Sequence, residues 1–231
     1  SSSIGVAQPV AVVACKRAAA AAGTTVNDLL MAAIGGGLRI YLKDSLPPHA
    51  RMTAVMVINP RPQTSGDRGA SHELLHSQEA ISNDGCDVMT GFIPLEVGDV
   101  SSEDRLKATA ANLRAKKLSP EFIISYQLLK ALNCVCGPRG VTALFSRISR
   151  KFSTYVSNVV TPGPAVSFCG AKVTKLYYTT APLDYGVSFN FIAYDGVITI
   201  ACAGSPVVSD PQYMADCVRT ALESMLCSTT A

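Results

Sequence analysis

Three histidines are the first residues in this 231-residue sequence that could do acid–base or metal chemistry. His72 and His76 stand four apart with Glu73 beside the first, so HELLH matches the H-E-x-x-H pattern. In that pattern two imidazoles on one helix face hold zinc and the glutamate acts as general base. The chemistry needs a stable helix and a third ligand. Here TSGDRGA and SQEAISNDG flank the motif and read as loop, so a polar surface helix is expected and no metal site is assigned. His49 follows two prolines and is expected to be exposed. The eight cysteines are scattered among apolar residues and read as buried, reduced thiols of an intracellular protein. Cys134 and Cys136 are too close together for an ordinary zinc pair. Neither a G-x-S-x-G elbow nor a Walker loop is present.

Two further stretches carry polar groups in informative places. Arg139, Arg147, Arg150 and Lys151 form a basic run on an amphipathic segment. It could attract the phosphates of coenzyme A or an anionic membrane surface, or simply be a solvated helix face. Ser157-Asn158-Val-Val-Thr-Pro-Gly-Pro164 reads as a strand that breaks into a rigid turn, with Ser157 and Asn158 polar among apolar neighbours. Buried polar side chains need partners, so the pair either staples the turn or contacts a ligand at the strand end.

The element best placed to organise such groups is 24–42, TTVNDLLMAAIGGGLRIYL. Its apolar residues recur in steps of three and one and make one continuous helix face. Thr25 and Asp28 have the spacing of a capping box, and Asp28 falls where the helix dipole favours negative charge. Gly35, Gly36 and Gly37 lie inside this helix, not ahead of one, so they are poorly placed to cradle a phosphate. Each costs roughly 1 kcal/mol relative to alanine, which predicts a surface where another backbone comes close.

Along the rest of the chain, an alanine-rich helix stops at Gly23, and strands are expected at 51–58 and 88–97. Residues 63–87 read as a long polar loop. Helices are expected over 101–117 and from Ser119-Pro120 to Gly137-Pro138, followed by the basic segment 141–152. The strand at Ser157 and an alternating strand at 172–178 come next. Strands 187–193 and 197–203 are joined by Asp195-Gly196, a strong hairpin signal. Asp210-Pro211 opens a last helix whose inward face should hold Tyr213, Met214, Cys217, Val218, Ala221, Leu222, Met225 and Leu226. This is a single α/β domain of the α+β type over 1–231, with helices packed on a mixed, largely antiparallel sheet.

Composition narrows the partners. Hydrophobic residues make up 48% and charged residues 16%, far from a disordered chain and consistent with apolar surface meeting a partner or a lipid. A net charge of +3 without basic–aromatic interleaving argues against nucleic acid. No run of 18 apolar residues is present, so a membrane-spanning helix is not expected. The first residues lack both a basic signal-peptide region and an initiating Met, as in a fragment or processed product.

Several segments together resemble the C-terminal half of the bacterial-type wax ester synthase/diacylglycerol acyltransferases. In the helix at 24–42, Asn27, Asp28, Ala32, Ala33, Leu38, Arg39, Tyr41 and Leu42 stand at matching places. SNVVTPGP is similar to the family's SN-V-PGP segment, with Thr161 inserted or replaced. Asn59-Pro-Arg61, Ile93-Pro94-Leu95, Ser102 to Leu106 with Lys116, Tyr194-Asp195-Gly196 and Asp210 follow in the family's order. The resemblance spans about 9–227.

The resemblance implies a chloramphenicol-acetyltransferase-like fold and transfer of an acyl group from acyl-CoA to a fatty alcohol or diacylglycerol. It implies no cofactor beyond acyl-CoA as substrate. It also implies an N-terminal half that carries the catalytic base in an H-H-x-x-x-D-G motif, which is absent here. Asn27, Asp28, Ser157 and Asn158 then match channel or domain-interface positions, and no catalytic residue is assigned. Arg147, Arg150 and Lys151 are the expected coenzyme A or membrane contacts. The expected partners are the N-terminal half, acyl-CoA, a lipid alcohol, and a peripheral membrane or lipid-droplet surface. The setting would be intracellular, either cytoplasmic or peripheral to a membrane. The competing expectation is a non-catalytic structural or assembly subunit derived from this domain.

Overall fold

In a computed structural model the described residues are 3–58, 89–119, 121–149, 152, 154–160, 165–180, 186–206 and 208–228. The HELLH segment, Arg150, Lys151 and the turn at 161–164 lie outside them.

Two short strands, β1 (Ser3–Val6) and β2 (Val10–Ala11), lead into α1 (Val12–Ala21). Gly23, at φ +64°, ends α1 in a Schellman motif: its N–H bonds to Ala20 O, and Thr24 N–H reaches back to Ala19 O. The organising helix follows as α2 (Val26–Leu42), with its capping box formed. Thr25 Oγ1 accepts from Asp28 N–H at 3.2 Å, and Asp28 Oδ2 accepts from Thr25 N–H at 2.9 Å. Thr25→Ala should cost about 1 kcal/mol in urea unfolding while Thr25→Ser stays near wild type; equal stability of the two variants would mean that the cap contributes nothing.

The remaining elements are β3 (Arg51–Ile58), β4 (Met89–Glu96), α3 (Ser102–Leu118), α4 (Glu121–Ser149), β5 (Thr154–Val160), β6 (Ser167–Phe168), β7 (Ala171–Lys172), β8 (Val187–Tyr194), β9 (Val197–Gly204) and α5 (Pro211–Ser228). The main sheet has the order β1-β9-β8-β5-β3-β4, with β2 also on β9. Its edges pair antiparallel, as β1 and β8 with β9 and as β3 with β4. Its centre, β3-β5-β8, is parallel. Pro94 sits in β4, an edge strand, where a residue without an N–H is tolerated. At the β8–β9 turn Asp195 and Gly196 have φ +46° and +80°, the geometry of a primed hairpin turn.

One sheet face forms the core. Ala54, Met56, Ile93, Leu95, Val156, Phe189, Phe191, Ile198, Ile200 and Cys202 meet Leu29 to Ile34 and Leu38 of α2, Leu106 and Leu113 of α3, and Met214, Val218, Leu222 and Met225 of α5. The glycines of α2 admit its neighbours, as their spacing suggested. A methyl group on Gly37 would stand 2.6 Å from Val218 Cα, and one on Gly35 would stand 2.5 Å from Glu96 O.

Four expectations change. Residues 172–178 do not form a strand: only Ala171–Lys172 pairs, with β6. β5 and β9 already occupy both edges of β8, so the segment crosses the sheet face, with Val173, Leu176 and Tyr178 half-buried. The helix from 120 and the basic segment run on as α4, broken at Gly137 (φ +64°) just before Pro138. Tyr213 is not inward but 44% exposed. Its ring lies 5.8 Å from that of Tyr41, tilted by 40°, and the Tyr41 hydroxyl lies 3.1 Å from Ser209 Oγ. Of the seven described cysteines, only Cys15, Cys202 and Cys217 are buried. Burial pushes the Cys15 thiol up to about 11 and that of Cys202 to about 12.

Candidate functional site

The capping box fixes where α2 begins, and this places Asn27 in its first turn, over the carboxyl ends of β3 and β5. Asn158, third from the end of β5, donates from Nδ2 to Asn27 Oδ1 at 3.4 Å. The Asn27 carboxamide in turn points its Nδ2 at Met56 Sδ, 4.0 Å away. Both asparagines are half-buried. Two segments 131 residues apart thus meet at the carboxyl end of parallel strands, the place where open α/β sheets commonly receive ligands.

The four residues singled out from the sequence do not form one cluster. Asp28 is buried and committed to the cap. Ser157 precedes Asn158 in an extended strand, so it faces the opposite side of the sheet. There it accepts a 2.8 Å hydrogen bond from Tyr178 OH. Burial pushes the phenols of Tyr178 and Tyr155 above their ordinary values.

That second face carries a polar seam. Thr180 Oγ1 donates to Asn190 Oδ1 at 3.1 Å, Asn190 Nδ2 to Ser188 Oγ at 3.2 Å, and Ser188 Oγ to Thr180 O at 3.1 Å. Ser188 and Asn190 are each 1% exposed, yet each is satisfied. Further along, Tyr194 OH donates to Val173 O at 2.8 Å and accepts from Val166 N–H at 2.9 Å. The seam holds the 165–180 segment on the sheet. Its trace in the sequence is the alternation of Ser188 and Asn190 with Val187, Phe189 and Phe191, which the reading of 187–193 as a strand did not use.

Of the basic residues, Arg147 stands exposed on α4, while Arg150 and Lys151 fall outside the described residues. Arg105, matched above only as part of a motif, is a buried guanidinium that donates to Glu96 O, Gly98 O and Val100 O. Among the described residues the site offers carboxamides, hydroxyls and a thioether. These groups can orient a polar ligand, but none is a proton acceptor poised near neutral pH.

Comparison with known proteins fits this geometry. The model of the WS/DGAT C-terminal domain matches 85–226, more than half of the chain. Wax ester synthase/diacylglycerol acyltransferase 7 of Arabidopsis thaliana is 30% identical over 143 residues, which covers 59% of this chain and 29% of that protein. Wax ester synthase/diacylglycerol acyltransferase 5 of the same plant is 24% identical over 218 residues, covering 87% and 42%. The chain therefore spans less than half the length of these relatives. Among solved structures, the wax ester synthase/diacylglycerol acyltransferase of Marinobacter aquaeolei superposes with TM-score 0.65 at 18% identity, over 100% of this chain and 50% of that one. The epimerization domain of tyrocidine synthetase B gives 0.60 at 13% identity, over 99% and 48%. These likenesses establish the chloramphenicol-acetyltransferase-like fold. The family match over 85–226 settles the membership: this chain belongs to the WS/DGAT C-terminal domain family.

Proposed function

We propose that the chain is the C-terminal half of an acyl-CoA-dependent O-acyltransferase that makes wax esters or triacylglycerol. In this reading an N-terminal half supplies the base that deprotonates the acceptor hydroxyl for attack on the thioester. The present half supplies a wall of the substrate channel. Asn27 and Asn158 line it at the carboxyl end of β3 and β5, and Ser157 with Tyr178 supports the strand from behind. The observation that carries the reading is the Asn27–Asn158 hydrogen bond, which joins two segments each matching the family pattern. Family membership and the half-length match to the relatives support it. A carboxamide pair suits this place because it can donate and accept without titrating, so it can hold a substrate oxygen while the base sits on the other half.

Two measurements test the proposal. The purified chain, given acyl-CoA with a fatty alcohol or diacylglycerol, should release no free coenzyme A above background; robust turnover would place the base in this chain and overturn the division of labour. The native protein from its source should have a mass near twice 24.2 kDa, or copurify with a partner of similar size. A native mass near 24.2 kDa without such a partner would overturn the acyltransferase reading and favour a non-catalytic assembly subunit.

A further inference from the structure

Four cysteines among the described residues are exposed: Cys134, Cys136, Cys169 and Cys227. Cys134 and Cys136 flank Val135 at the end of the first half of α4, directly before the break at Gly137. In a regular helix, residues two apart have Cα atoms about 5.4 Å from each other, inside the span that a disulfide bridges. Their side chains point to opposite sides, because each residue turns the chain by about 100°, so an unbroken helix keeps such a pair apart. Here the helix is broken. Gly137 leaves helical geometry at φ +64° and ψ −174°, and Pro138 has no N–H to donate to the Cys134 carbonyl. Asn133, Cys134, Val135 and Cys136 are all exposed, so unwinding their turn uncovers no packed side chain. The turn that must open for the two sulfurs to meet is held by its backbone hydrogen bonds and by no buried side chain.

The other cysteines set the contrast. Cys15 and Cys202 are buried with thiols held protonated well above neutral pH, which keeps them out of exchange. Cys169, on the β6–β7 turn, and Cys227, in the last turn of α5, are exposed but have no second cysteine within five residues in the sequence. We propose that Cys134 and Cys136 are a thiol-modification site that closes to an intramolecular disulfide by exchange with a low-molecular-weight disulfide of the glutathione class. One cysteine thiolate attacks a sulfur of the incoming disulfide, whose S–S bond breaks as the first small thiolate leaves. The second cysteine thiolate attacks the chain-bound sulfur of the mixed disulfide, and the second small thiolate leaves. The two cysteine sulfurs are oxidised, the small disulfide is reduced to two thiols, and the protons given up by the cysteines end on those thiols. Arg139, exposed three residues beyond Cys136, offers a cation to the carboxylates of such a disulfide. Closure is incompatible with helical side-chain directions, so the oxidised form extends the break of α4 back by about one turn. The proposal does not rest on the acyl-transfer reading.

Tryptic mapping tests it, because cleavage after Lys130 and Arg139 isolates both cysteines on residues 131–139 with no other cysteine. The folded chain is equilibrated with reduced and oxidised glutathione at stepped ratios, quenched in acid, alkylated and digested. The 131–139 peptide should pass from doubly alkylated to a bridged form that has lost two hydrogens. It should do so at ratios where the Cys169 and Cys227 peptides are still alkylated. Cys134→Ser and Cys136→Ser should each stop at a mixed disulfide with glutathione on the remaining cysteine. Gly137→Ala/Pro138→Ala, which lets the helix run through, should lower the closure constant at least about tenfold, which raises the reduction potential of the pair by about 30 mV or more. Far-ultraviolet circular dichroism should show that variant to be at least as helical as the wild type; if it folds poorly, the wild-type map and the serine variants decide. The proposal is overturned if the 131–139 peptide stays doubly alkylated in oxidised glutathione, carries only mixed disulfides, or bridges to another cysteine. It is also overturned if the folded Gly137→Ala/Pro138→Ala chain closes as readily as the wild type, since the break would then not be what admits the bridge.

Discussion

Gly37→Val should leave little folded protein, and even Gly37→Ala should cost about 2 kcal/mol. The direction is not obvious, because an alanine in a helix interior is worth up to about 1 kcal/mol over glycine. The contact decides the sign. A Cβ at Gly37 would lie 2.5 Å from Val218 Cγ2, 2.6 Å from its Cα and 2.7 Å from its N. A side chain can rotate away, but the Cα and N of α5 cannot, so α2 and α5 would have to separate. Separation loosens the buried cluster to which Leu38, Val218 and Leu222 all belong. Gly36→Ala should be milder, since the atom met there is the Ala221 methyl at 2.8 Å. Urea unfolding of the three variants checks the order. A Gly37→Ala protein as stable as the wild type would show that α2 and α5 do not approach each other this closely.

That contact illustrates what was legible in the sequence. Three glycines on a strongly periodic helix announce a close approach, and Thr25 with Asp28 announces where the helix starts. The partner, α5, lies some 180 residues downstream and is named by no local pattern. Asp195-Gly196 specified its hairpin because a primed turn depends on residues that are adjacent in the chain. The 172–178 segment failed for the opposite reason. Alternation reports which side chains face apolar matter, but not whether a neighbouring strand has a free edge, and β8 has none. At the candidate site, resemblance pointed to Asn27 and Asn158 separately, and only the fold shows them hydrogen-bonded. It also treated Ser157 and Asn158 as a pair, although strand geometry sends them to opposite faces.

Arg105→Met should destabilise the chain by about 3 kcal/mol, and Arg105→Lys by less. Arg105 is 5% exposed, and burial holds its guanidinium below the usual arginine value, which marks the cost of bringing the charge inside. Nearby Glu96 opposes that shift. Replacing a buried charge by a hydrophobe of similar length can be neutral when its partners are replaced too. Here the partners are backbone. Nη1 donates to Glu96 O, while Nη2 donates to Gly98 O at 3.0 Å and Val100 O at 3.2 Å. These carbonyls belong to the turn between β4 and α3, and methionine would leave them without these donors. The turn is pinned from its other side as well, with Asp99 N–H on Pro48 O at 2.7 Å and Gly98 too close to Pro48 O to bear a side chain. It cannot swing out to water without breaking those bonds, so the unsatisfied acceptors outweigh the relief of a buried charge. Lysine keeps one cationic donor group but lacks the fork that reaches three oxygens, so it should fall between. The same side chain runs over the α2 glycines, with Cδ 3.6 Å from where a Gly35 Cβ would stand. The glycine patch therefore serves two neighbours, α5 at Gly36 and Gly37 and the Arg105 clamp at Gly35 and Gly36. Urea unfolding of Arg105→Met, Arg105→Lys and the combination of Arg105→Met with Gly37→Ala would separate them. If the clamp and the α5 contact are one unit, the combined loss is smaller than the two losses added. An Arg105→Met protein within about 0.5 kcal/mol of wild type would show that water reaches the turn carbonyls and that the clamp does not hold the fold.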